Sequence, residues 1–335
     1  MKPSVFITFD VECSMGGAWG DESLRPVPPA RAMMGEYGGR SYGLGLICDI
    51  LGDSGIPATF FVEAFADEQG FPGATEPVCA FLLDRGHDVQ LHVHPNHYHF
   101  GLKQQGKDFP FTDQIAELAP DAQRSLLAEG SERIARWTGR RPVAFRAGNM
   151  AADEGTLAQL AAVGIRIDSS YTFPYLGGQC RFADRQAYNG SKWYGDVLEL
   201  ALSGFRQRPL PGLHRAKPLD PMGISFAECR EAIERIGGAG ADTVVILHSF
   251  SLMKVRNKQY DAGRLNRIVA GRFRRLCRWL ASKAGTHPVR TFAQLAADVE
   301  AGTYQARTAE PPTFGNIVRP YLRKAVQVYN NRYWT

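Results

Sequence analysis

Apolar residues along this chain fall into two alternating patterns. Short, nearly continuous runs read as buried strands: Val5 to Phe9, Ala58–Val62, Asp88–Val93, Val143–Phe145, Ile165–Asp168, Val197–Leu202 and Thr243–Leu247. Between them, apolar residues recur at helical spacing near Tyr42–Leu51 and Glu76–Asp84, then over Ala122–Trp137, Glu154–Ala162 and Phe226–Ile236. A basic helix follows, striped by Leu265, Ile268, Val269, Leu276 and Leu280, and a strand or turn near Pro288–Phe292 leads into a helix over Ala293–Glu300. Strands separated by helices predict a parallel sheet, and seven of them in one continuous chain favour a closed or nearly closed α/β barrel over two domains.

Three stretches break the alternation. Cys13 to Arg40 is rich in Gly and Pro and too irregular for a helix, while Asn96–Thr112, rich in His, Phe and Gly, reads as a second long loop. Loops of that length in compact domains are usually functional or mobile. From Tyr304 onward the chain changes character: Pro311-Pro312 interrupts it, and Ile317, Val318, Tyr321, Leu322, Val326 and Tyr329 then recur at loosely helical spacing among basic residues. Such a segment either packs on the barrel as a terminal helix or lies on an anionic membrane surface as a peripheral contact. We therefore divide the chain into a barrel domain, 1–302, and a basic, aromatic extension, 303–335.

Composition constrains this picture without overturning it. The 335 residues are 44% hydrophobic and 22% charged, ordinary for a globular protein that buries a large core. No run approaches the roughly 18 apolar residues of a membrane span, and the first residues lack the basic start and small-residue cleavage site of a signal peptide, so the expected location is the cytoplasm. The six cysteines, Cys13, Cys48, Cys79, Cys180, Cys229 and Cys277, lie far apart and read as reduced core residues. Of the net charge of +5, most sits in 303–335, where Arg307, Arg319, Arg323, Lys324 and Arg332 face only Glu310. The arginines between Gly263 and Arg290 read as the solvated face of the basic helix, and nothing in the charge pattern calls for a nucleic acid partner.

Candidate chemistry collects at strand ends. In a strand, side chains at i and i+2 share a face, so Asp10 pairs with Glu12 in Thr8-Phe9-Asp10-Val11-Glu12, and His92 with His94 in Leu91-His92-Val93-His94-Pro95. Two carboxylates and two imidazoles can converge on one divalent metal, with either carboxylate free to act as a base instead of a ligand. His97 is an alternative ligand to His94 if the chain turns back at Pro95. Arg146, followed by the small residues Ala147 and Gly148, suits orientation of a carboxylate, an anionic substrate group or a plain salt bridge. His248 ends the most hydrophobic strand and is a core histidine or a general acid; Asp168, before Ser169-Ser170, is a turn residue or a partner for His248. Apart from His97, which falls in the loop, these residues occupy C-terminal strand ends, where barrels of this kind assemble their catalytic groups.

The sequence resembles the polysaccharide deacetylase superfamily, the NodB-homology or carbohydrate esterase family 4 group. Thr8-Phe9-Asp10 is similar to its first motif, Gly86-His87-Asp88-Val89-Gln90-Leu91-His92-Val93-His94-Pro95 to its metal-binding motif, Phe145-Arg146-Ala147-Gly148 to its arginine motif and Leu247-His248-Ser249 to its final motif. The resemblance spans roughly residues 1–295 and implies a deformed (β/α)7-8 barrel holding one divalent metal ion, usually zinc. It further implies hydrolysis of an N-acetyl group from a sugar or glycan precursor. Asp10 would be the general base, Arg146 would steady it, and His248 would be the acid. Glu12, His92 and His94 would hold the metal, with Leu247 lining the acetyl pocket and Asp168 near the substrate. Two positions depart from the family pattern: Val11 stands where a second aspartate ligand is usual, and the usual histidine spacing of four would fall on Asn96. Those departures keep two other readings open: a different metal-dependent barrel hydrolase, such as a phosphoesterase or non-sugar amidohydrolase, and a carbohydrate-binding relative without activity.

Overall fold

In the computed structural model, residues 2–184 and 186–332 are described, and nine strands form one curled sheet. We number them β1 (Val5–Val11), β2 (Thr59–Glu63), β3 (Asp88–Val93), β4 (Ala144–Ala147), β5 (Ile167–Asp168), β6 (Asn189–Tyr194), β7 (Val197–Leu200), β8 (Thr243–His248) and β9 (Thr308–Ala309). Their order is β8-β1-β2-β3-β4-β5-β7-β6-β9. From β8 through β7 every neighbour is parallel, while β6 and β9 add antiparallel strands at the far edge. Just beyond β7, Leu202 makes a parallel bridge to Val244 of β8, so the parallel strands come round to a nearly closed ring. The expected deformed (β/α) barrel is therefore the fold observed.

The alternation along β1 shows how the barrel is filled. Val5, Ile7, Phe9 and Val11 point outward into the large core under the helices, whereas Phe6 points inward to a second core with Phe61, Ile167, Leu198, Val244 and Ile246. The same two-residue period that buries Phe6 at the bottom carries Thr8 and Asp10 up the inside of the barrel. At the bottom, the helix Phe292–Glu300 acts as a plug. Phe292 meets Phe6 and Phe61 edge-on at 5.4 and 5.1 Å between centroids, contacts worth about 1 kcal/mol each beyond their buried area. Its N-terminus carries a Thr291–Gln294 capping box, and the amides of Phe292 and Ala293 donate to Thr59 Oγ1 and Asp88 Oδ2. With the bottom closed, the C-terminal strand ends form the open face.

Three segments differ from expectation. Pro95–Gln104 is a helix, α1, not a loop: Pro95 occupies its first turn, where a preset φ and a missing N–H cost nothing, and His94 is its N-cap. In the stretch 13–40, Pro29–Ala32 is a short helix, and Glu36–Tyr37 begins a small antiparallel pair with Arg40–Ser41. The boundary at 302 separates no folded unit. Thr308–Ala309 extends the main sheet beside β6, and Thr313–Phe314 pairs with Gly204–Gln207, stacking Phe314 on Phe205 at 4.4 Å. The chain then forms a last helix, Val318–Arg332, labelled α2 here. All six cysteines are buried and free.

Candidate metal centre

The strand ends bring together three side chains of types able to ligate a metal. Register places Asp10 beside His248 across β1 and β8, Glu63 beside His92 across β2 and β3, and His92 beside Arg146 across β3 and β4. Glu12, one residue past β1, reaches over the barrel mouth. Its Oε2 lies 2.6 Å from His94 Nε2 and 3.5 Å from His92 Nε2, and its Oε1 lies 4.0 Å from His248 Nε2. Among the described residues, Glu12, His92 and His94 form a group whose ligand atoms all lie within 4.8 Å of one another.

Each imidazole is aimed by its other nitrogen. His92 Nδ1 is 2.8 Å from the Arg146 carbonyl oxygen, and His94 Nδ1 is 2.9 Å from Asp113 Oδ2. With Nδ1 donating in both rings, Nε2 is left as the lone-pair nitrogen, and ligating histidines in metal proteins are oriented the same way. The residues fit a divalent ion on a further observation: His92 Nε2 is buried and has no hydrogen-bond partner, a costly state for a polar atom unless something else meets it. Two nitrogens and a carboxylate suit zinc and leave coordination positions open, as catalytic sites require.

Electrostatics agree with the geometry. Burial pushes the Glu12 carboxyl up, but the His94 charge, the close approach of the His92 and His94 rings, and the His248 charge outweigh it and hold the group well below the usual carboxylate range. Burial pushes both imidazoles down, yet Asp113 and Glu12 raise His94 well above its ordinary value, and Asp10 and Glu12 raise His92. A cation is thus strongly favoured between these groups, and a metal must compete with protons for the two nitrogens.

Arg146 fills the barrel axis beneath the centre, fully buried. Its Nη1 donates to Asp10 Oδ1 at 2.7 Å and to Thr8 Oγ1 at 3.0 Å, its Nε and Nη2 donate to the carbonyl and hydroxyl of Ser169, and its Cζ lies 4.1 Å from the centroid of the Phe61 ring. After Arg146 the chain passes His94 closely. A Cβ built on Gly148 would sit 2.5 Å from His94 Nδ1, so only glycine fits there. Asn149 and Met150 follow with φ of 56° and 57°, a left-handed pair that costs on the order of 1–3 kcal/mol per residue. That turn lets Asn149 Nδ2 donate to Asp113 Oδ2 at 2.7 Å and sets Met150 into the cavity wall. The cavity, about 200 Å³, is lined by Asp10, Glu12, His92, His94, Asp220 and His248, with Ile246 and Leu202 supplying apolar wall.

Three sequence assignments change. Leu247 does not line the cavity: it is fully buried in the core under the helices, because neighbouring residues on a strand point to opposite faces, and Ile246 takes the wall position. Asp168 neither holds His248 nor lines the cavity. It is fully buried, accepts from the Ser170 amide and hydroxyl, and is hydrogen bonded to Glu199, with burial raising both carboxyls. Through Ser170, which accepts from the Ala147 amide, it braces the strand that carries Arg146. His97 is not in the metal cluster. It stacks on the His94 ring at 5.4 Å and faces Glu63, with burial first and the His94 charge second holding it at about 3.

Other residues of the site carry no motif. Asp113 comes from the far end of the segment after α1. Glu63, whose position at the end of β2 was a signal of the same kind as Asp10, accepts from the Phe65 and His94 amides; burial raises it to about 7 against the pull of His94 and His92. Asp220 accepts from the Met222 amide; burial raises its carboxyl, and the His248 charge pulls it back in part.

No protein-family model and no curated protein sequence matches the chain. Solved structures do. A candidate polysaccharide deacetylase from Mycobacterium smegmatis is 19% identical, with 93% of this chain and 95% of that one covered at a TM-score of 0.55. A family 4 carbohydrate esterase from Streptomyces lividans, solved with acetate, is 13% identical over 84% of this chain and 89% of that one, at a TM-score of 0.43. A peptidoglycan deacetylase from Bacillus subtilis is 13% identical over 90% and 93%, at 0.41. The first of these establishes the fold: the chain shares the deformed (β/α) barrel of that structure.

Proposed function

We propose that the protein is a metal-dependent amide hydrolase that removes the N-acetyl group from a sugar unit of a glycan or glycan precursor, with zinc as the metal. One observation carries this reading: Glu12, His92 and His94 converge at the mouth of the barrel, in the same cavity as Asp10 and His248. A divalent ion at that position supplies Lewis acidity, polarising the amide carbonyl and making water more acidic. Everything else is the work of the chain. Arg146 engages Asp10 Oδ1 and so fixes the carboxylate, leaving Oδ2 to take the proton from the attacking water. His248, partly exposed to the cavity and close to the acidic Asp220 and Glu12, is placed to protonate the departing amine. Ile246 and Leu202 give the acyl methyl an apolar surface.

The test is direct. Protein loaded with zinc, then freed of excess metal, is incubated with N-acetylglucosamine oligomers and assayed for released acetate. One tightly held ion per chain and acetate release lost on Asp10→Asn support the reading; a chain that holds no divalent ion after reconstitution overturns it.

A further inference from the structure

Helix α2 is amphipathic in the inverse sense to a helix packed on a protein core. Its inward side is polar: Arg319 Nη1 donates to Glu231 at 2.6 Å, Arg323 pairs with Glu228 and donates to Gln207 Oε1 at 2.9 Å, and Lys254 Nζ donates to the Asn330 carbonyl at 2.7 Å. Its outward side is apolar, with Val318, Tyr321, Leu322 and Val328 exposed by 57%, 44%, 60% and 55%. At 3.6 residues per turn these four fall on one arc, continued toward the barrel by Ile317, itself 50% exposed. Leaving this much apolar surface in water is unfavourable, and the ion pairs, with Pro320 buried beside Phe205 and Phe314, hold the helix in that orientation.

We propose that this face is a docking surface for an anionic lipid bilayer, with α2 lying in the plane of the membrane. Charge decides between candidate occupants. Residues 317–332 contain no acid; Arg319 and Arg323 are turned inward onto Glu231 and Glu228, and Lys324 is left as the cation beside the apolar face. Lys324 is exposed at the edge of the apolar arc and donates to the Gly212 carbonyl at 2.9 Å. That bond places α2 beside the segment Arg208–Arg215, which exposes Arg208, His214 and Arg215 and also lacks an acid. A second copy seated on this face would bring two cationic rims together with no carboxylate in either to answer them. An anionic lipid surface satisfies both halves of the pattern: acyl chains and glycerol take the aliphatic arc, headgroups take the basic rim, and Tyr321 suits the boundary between them. Because ion pairs already hold the helix in place, binding need not order it.

The experiment is co-sedimentation of the full chain with vesicles of phosphatidylcholine alone and of phosphatidylcholine with phosphatidylserine in equal parts. Partition onto the anionic vesicles should be stronger by about tenfold or more, and should weaken as salt is raised. Leu322→Glu, at an exposed position where thermal melting should be unchanged, should bring binding down to the level of the neutral vesicles. The pair Arg208→Glu and Arg215→Glu should reduce the preference for anionic lipid while leaving the apolar arc intact. Equal weak partition onto both vesicles overturns the proposal, as does unchanged binding by Leu322→Glu. A dimer in sedimentation velocity that Leu322→Glu dissociates, without vesicle binding, overturns it in favour of a second copy.

Discussion

Arg146 donates to Asp10 Oδ1 at 2.7 Å inside the barrel, with the two side chains 0% and 1% exposed. A buried ion pair of this kind contributes little net stability when intact, but removing one partner leaves an uncompensated charge and costs about 3–5 kcal/mol. Arg146→Met should therefore lower stability by that amount in urea unfolding. Asp10→Asn keeps the shape and a hydrogen-bond acceptor but leaves the buried guanidinium charge unanswered, so it should destabilise by a comparable amount while reducing acetate release by about 10²–10⁴-fold as the general base is lost. Equal activity in Asp10→Asn and wild type would assign the base elsewhere.

The bond between Asp113 and His94 should tune metal affinity and not touch the reacting atoms. Asp113→Asn retains an acceptor for His94 Nδ1 but removes the charge that raises the imidazole, and loss of such a partner typically weakens metal affinity about 10–100-fold. Competition of the protein with a chromophoric zinc chelator measures this without reference to turnover. Fold and melting behaviour should stay close to wild type, since Asp113 is partly exposed.

How much of this was legible in the sequence follows from strand parity. The two-residue period puts Asp10, His92 and His248 at the barrel mouth from sequence alone, and the run of helices between strands gives the barrel. The same parity excludes Leu247 from the cavity once His248 is in it, so that assignment followed the motif against the geometry. Asp113 and Asp220 were invisible because they come from connecting segments whose path is set by tertiary contacts, here the Asn149 turn and the Ile246 amide bonded to the Leu219 carbonyl. The orientation of α2 was equally hidden. Its hydrophobic spacing reads as a packed helix, and only Glu228 and Glu231, nearly a hundred residues earlier, turn its polar side inward.

Gly148 tests whether the arginine motif's glycine serves the metal centre. A Cβ there would lie within 2.5–2.7 Å of three atoms of the His94 ring, so Gly148→Ala must displace the imidazole or the Ala147–Met150 turn. Overpacking of this kind costs about 1–3 kcal/mol, and the displaced ring should bind zinc more weakly. Since His92 is held separately by the Arg146 carbonyl, residual two-ligand binding should remain, visible as a lower affinity at unchanged stoichiometry in calorimetric titration.

His87 lies away from the metal centre and sets an acid limit on the fold. Its ring is 8% exposed, packs on Phe60 at 5.2 Å and leaves Nδ1 buried without a partner, and burial, with Arg85 adding to it, holds the imidazole down at about 4. In the unfolded chain the same group titrates near about 6.5. Above that pH both states are neutral and His87 contributes no pH dependence. As pH falls from about 6.5 toward 4, the unfolded chain takes up the proton and the folded one does not, so stability declines; below about 4 both are protonated and the dependence ends. His87→Phe keeps a tilted ring contact with Phe60 and removes the titration. Between about pH 7.5 and pH 5, wild type should lose about 1 kcal/mol more stability than His87→Phe in urea unfolding, allowing for screening at the ring edge. Parallel losses in the two proteins would place the acid sensitivity in the carboxylate and histidine cluster at the barrel mouth instead.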